Sequence, residues 1–96
     1  MSQKFFGKYR GVVTNNIDPQ QMGRVIAQVP AVLGAAQTAF ALPCVPVGVS
    51  KTAGTSLPKV GANVWIEFEN GDPDFPIWSG CFFANSGATP ASLKFK

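Results

Sequence analysis

Residues 62–83 read ANVWIEFENGDPDFPIWSGCFF, and the way this stretch divides decides the fold. From Ala62 to Glu69, Val64, Ile66 and Phe68 alternate with Asn63, Trp65, Glu67 and Glu69. That period of two places one apolar and one polar face on a half-buried strand. Asn70-Gly71-Asp72-Pro73-Asp74 then supplies four of the strongest turn-forming residue types in succession. Pro76–Phe83 resumes an extended, apolar course that Gly80 is expected to break.

Working outward, Lys8–Thr14 (KYRGVVT) has the β-branched and aromatic content of a first strand, closed by the turn-rich run Asn15-Asn16-Ile17-Asp18-Pro19. Gly23–Val29 alternates again, with Val25, Ala27 and Val29 against Arg24, Ile26 and Gln28, and Pro30 stops it. Residues 31–38 suit a helical turn or a loop, being too few for an independent helix. Phe40–Val47 is extended but carries Pro43 and Pro46, which restrict it to an edge. Residues 48–60 (GVSKTAGTSLPKV) read as a long surface loop, and residues 84–96 have linker composition. Five short strands of this kind favour a small all-β barrel of the oligonucleotide/oligosaccharide-binding (OB) type, because closure removes exposed edges. An SH3-like barrel or half a sandwich meets the same strand count.

Composition agrees with one turn-rich β domain. Of 96 residues, 46% are hydrophobic and 14% charged, with 10 Gly and 8 Pro. The net charge of +3 is too small for a nucleic-acid footprint. No apolar run approaches the roughly 20 residues of a membrane span, and the N-terminus lacks a signal-peptide core, so synthesis in the cytoplasm without a membrane anchor is expected. For that compartment, Cys44 and Cys81 are expected to be buried free thiols.

Four carboxylates, Glu67, Glu69, Asp72 and Asp74, are the only candidates for acid/base chemistry. Strand residues two apart share a face at about 7 Å, so Glu67 and Glu69 could flank a substrate. A solvent-facing strand edge and a Pro-containing turn explain all four more simply. There is no histidine, two cysteines cannot form a structural zinc site, and the turn lacks the distal Glu of a calcium loop. No catalytic residue, metal or cofactor is therefore expected. Single-stranded nucleic acid is the alternative ligand, with Trp65, Tyr9, Phe5 and Phe6 beside Lys8, Arg10 and Arg24 as stacking and phosphate groups. Glu67 and Glu69 on the Trp65 strand oppose it.

Three segments together, GKYRGVVTNNIDPQQMGRVIAQVPAVLG, ALPCVPVG and PKVGANVWIEFENGDPDFPIWSGCFF, resemble the OB-fold domain at the base of the central spike in contractile phage tails and type VI secretion systems. The distinctive elements are YRG-V, D-P-x-x-x-G-R-V and V-W-x-x-F-x-x-G-D-x-x-x-P-I-W-x-G. The resemblance implies an arm over residues 1–6, a barrel over 7–83 and a linker over 84–96. It implies a non-enzymatic hub or spike-base component, gathered as a homotrimer in the assembly, with a tail hub protein and a spike-tip protein as partners. It also implies structural roles: Gly71 for the tight turn, Asp72 for tying that turn to the backbone, and Pro76 for the angle at which the last strand starts. Trp65, Phe68 and Trp78 would fill or cover the barrel beside Gly80, and Arg24 would pair with an acid across the sheet. Phe5, Phe6, Lys8, Lys51 and Lys59 are the expected partner contacts, since adjacent aromatics on a free arm are costly to leave in water.

Overall fold

The computed structural model describes residues 3–47 and 57–93; Lys51 and most of the 48–60 loop lie outside them. Strands form at Tyr9–Asn15 (β1), Ile26–Gln28 (β2), Leu42–Pro43 (β3), Asn63–Phe68 (β4) and Pro76–Cys81 (β5). A single helical turn, Pro30–Leu33 (α1), follows β2. Proline suits its first position, where the N–H has no helical partner. Gly34, at φ 60°, ends it by donating to the Pro30 carbonyl at 3.1 Å.

The hairpin of β4 and β5 follows the alternation. Val64 and Ile66 are fully buried and Phe68 nearly so, while Trp65 and Glu67 look outward. Asn70 (φ 54°, ψ 24°) and Gly71 (φ 75°) both take left-handed backbone, and the Asp72 N–H closes the turn on the Glu69 carbonyl at 3.0 Å. Asn-Gly suits this turn because both central positions need positive φ, which Gly and Asn tolerate best. Gly80 does not break β5. Ile66 pairs with Trp78 and Val64 with Cys81, so the longer side of the ladder holds an extra residue opposite Trp65. The bulge is taken up at Gly80, whose φ of 121° only glycine adopts readily.

Neighbouring strands run in the order β2-β1-β4-β5-β3, with β3 and β5 parallel and the other pairs antiparallel. The two edge strands then meet. Val25 and Ala41 exchange both backbone hydrogen bonds, at 3.2 and 2.7 Å, just before β2 and β3 begin. The sheet thus curls into a small five-stranded all-β barrel of OB-like form.

Val13, Val25, Ala27, Val29, Ala41, Val64 and Ile66 make the interior, capped by Phe68 and Trp78. One polar side chain, Thr38, is buried with them; its hydroxyl accepts from the Ala27 N–H at 3.1 Å and donates to the Ala39 carbonyl at 2.7 Å. Both cysteines are free thiols, but they are exposed rather than buried. Pairing between β3 and β5 covers only Leu42–Pro43, and Cys44 and Cys81 both lie past it, where no further strand covers the edge.

Close approach fixes one position absolutely. A Cβ at Gly11 would stand 2.9 Å from Ile66 Cγ1 and 3.2 Å from the Gln28 carbonyl oxygen. Gly11→Ala should therefore overpack the β2-β1-β4 crossing and cost about 1–3 kcal/mol of stability, read as a lower urea midpoint. An unchanged midpoint would show that these strands can separate freely.

Candidate interaction surface

The loop between β1 and β2 is built on one carboxylate. Asp18 accepts from the backbone N–H groups of Gln20 (2.9 Å), Met22 (2.9 Å) and Arg24 (3.3 Å), and from Arg24 Nε (2.9 Å) and Nη2 (2.8 Å). Its side chain is only 4% exposed. The acid that holds Arg24 is thus six residues upstream in the same loop, not across the sheet. The chain can double back because Gln21 (φ 53°) and Gly23 (φ 75°) take left-handed backbone. The guanidinium also lies 4.6 Å above the Phe40 ring. The signal for Asp18 in the sequence is the D-P-x-x-x-G-R spacing, since Asp before Pro favours an Asx-type loop.

Trp78 links this loop to the hairpin, donating its indole N–H to the Gly23 carbonyl at 2.9 Å. Above the turn, the Phe5 N–H donates to the Gly71 carbonyl at 2.8 Å. Phe5, Tyr9 and Phe68 form a ring cluster with centroids 5.9 to 6.3 Å apart. Tyr9 donates its hydroxyl to the Phe6 carbonyl at 2.9 Å, and a Cβ on Gly71 would stand 2.9 Å from the Phe6 ring. Phe5 is thereby half-buried against the barrel, whereas Phe6 stays 69% exposed. Pro76 is buried at the start of β5.

The four carboxylates do not converge. Glu67 faces Lys8 at 3.3 Å on the outer wall. Asp72 accepts from the Asp74 N–H at 3.0 Å. Glu69, Asn70, Asp72 and Phe75 line a shallow depression, and among the described residues no three metal-ligating side chains gather. Lys59 is exposed in the segment before β4, away from the hairpin turn.

On the outer wall, Arg10 pairs across the sheet with Trp65. The Trp65 and Phe82 rings pack at 4.6 Å with 37° between their planes, and the Arg10 guanidinium lies 5.7 and 5.0 Å from them. Ile17, Val47, Val60, Phe75 and Phe83 are exposed elsewhere. No described helix is long and apolar enough to cross a membrane.

The profile of the type VI secretion system/phage-baseplate injector OB domain family matches residues 9–83, the span from the start of β1 to just past β5. The chain belongs to this family, whose members are structural domains of the baseplate and spike. No individual curated protein matches it.

The Arg24 guanidinium, outweighing the desolvation of a covered carboxylate, and the backbone N–H groups hold Asp18 far below the usual carboxylate range. The folded value lies below the unfolded one of about 3.9, so the stabilisation is complete above that pH and is lost as pH falls towards the folded value. Asp18→Asn should lower the urea midpoint at neutral pH and flatten its decline below about pH 4. A variant with the wild-type acid limb would remove Asp18 from the role.

Proposed function

We propose that this domain is the OB module at the base of a piercing spike: three copies gather on the axis of a contractile injection machine, joining a tail hub protein above to the spike tip below. Its origin in a phage-type baseplate or secretion apparatus, with cytoplasmic synthesis before assembly, follows from the same proposal. One observation carries it, the family match across all five strands of the barrel.

The structure gives that role physical support. A spike base transmits force, and force is transmitted by parts that do not rearrange. The connection between β1 and β2, which leads into the barrel seam, is fixed by five hydrogen bonds to Asp18. Contact surface is available as exposed apolar side chains around this frame. A non-enzymatic role accords with carboxylates that are ion-paired, engaged with backbone or spread along the turn. Single-stranded nucleic acid is less well supported, because the Trp65 ring is already packed with Phe82 and Arg10, and Glu67 lies on the same face.

Phe6 is proposed as a hub contact, together with Phe5, Lys8, Lys51 and Lys59. Truncating Phe6 tests this better than deleting residues 1–6, since Phe5 anchors to Gly71 and covers Phe68. Phe6→Ala should reduce recovery of the cognate hub protein in co-purification about tenfold or more, the scale of a lost aromatic anchor, with little change in melting temperature. Full recovery would move the hub contact to another surface.

A further inference from the structure

Two of the five acidic side chains face a cation of their own chain: Asp18 faces Arg24, and Glu67 faces Lys8. The other three, Glu69, Asp72 and Asp74, are spread along the β4–β5 turn with Phe75, which is 58% exposed. Among the described residues none of them has a basic partner. Arg10 has the converse condition, with no acid in ion-pair contact and its guanidinium held by the Trp65 and Phe82 rings. From Trp65 to Glu69 is about 13 Å along the strand, beyond the reach of Arg10 to its own turn.

We propose that copies of this chain meet head to side, the acidic β4–β5 turn of one seated on the Arg10–Trp65–Phe82 face of the next. The occupant of this outer sheet face is thus a second copy. It brings three carboxylates and an aromatic ring to a surface offering a guanidinium and two rings, where the nearby Glu67 carboxylate is already paired with Lys8 at 3.3 Å. Arg10 presents N–H donors in a fixed fork suited to a carboxylate, and its seat on the rings limits the side-chain ordering that binding requires. The two surfaces differ, so the contact is heterologous: each copy donates its turn and receives another, and the series ends only if the rotation closes a ring. The proposal rests on the three-copy arrangement above and assigns the contact that would close it.

Sedimentation velocity on the full chain tests it, at about 0.1 M salt and again at about 1 M, where the Debye length shrinks from about 10 Å to about 3 Å. The wild-type chain should form a closed oligomer that weakens at high salt. Arg10→Glu should weaken assembly at least about tenfold. Glu69→Lys with Asp74→Lys should do the same while leaving the ring cluster untouched, an independent arm if Arg10→Glu disturbs folding. All three substitutions in one chain should restore assembly. A wild-type chain that stays monomeric, an Arg10→Glu chain that assembles normally, or a folded triple variant that stays monomeric would each overturn the proposal. Hub co-purification by the same wild-type sample separates the cases: a monomer that still captures the hub refutes the head-to-side contact and leaves the spike-base role standing.

Discussion

Two hydrogen bonds between Val25 and Ala41 turn a sheet with two open edges into a barrel, and the other distinctive features converge on that seam. Both residues are wholly buried, so their backbone groups have no water to fall back on. Arg24, one residue before Val25, lies over Phe40, one residue before Ala41. Gly23, one residue further back, presents its carbonyl to Trp78, and the Trp78 carbonyl accepts from the Cys44 N–H on the far side. The seam is therefore held by side chains from both edges and from the neighbouring strand.

Asp18 makes this arrangement possible from a distance. A carboxylate so well supplied with donors stays ionised and holds the loop in one conformation. That conformation delivers Gly23, Arg24 and Val25 in register. The result is a small frame that carries exposed apolar side chains and, among the described residues, charged groups without an ion-pair partner on its outside.

What was legible in the sequence was local. The inward set Val64, Ile66 and Phe68, the set Val25, Ala27 and Val29, and the Asn-Gly turn all follow from rules spanning a few residues, and each is found in the structure. The motif fragments could be quoted for the same reason. Their meaning could not, because the Trp78 indole and the Gly23 carbonyl are 55 positions apart. The partner of Arg24 was sought across the sheet when it lay six residues back, since left-handed backbone at Gln21, a non-glycine, gives no strong signal in the sequence. Cys44 and Cys81 were placed inside because apolar neighbours suggest burial, yet burial depends on how far β3 runs beside β5.

By itself, then, the sequence determined a small all-β domain, the residues that face inward on its strands and the turn that joins β4 to β5, because side-chain periodicity and turn preference are properties of adjacent residues. Only the tertiary structure decided that the sheet closes at Val25 and Ala41, that Gly80 forms a bulge and not a break, and that Phe5 lies on Phe68. It alone left Arg10 on one wall and three carboxylates along one turn without an ion-pair partner among the described residues. Those outcomes depend on which strands meet, and that is settled by packing between segments remote along the chain.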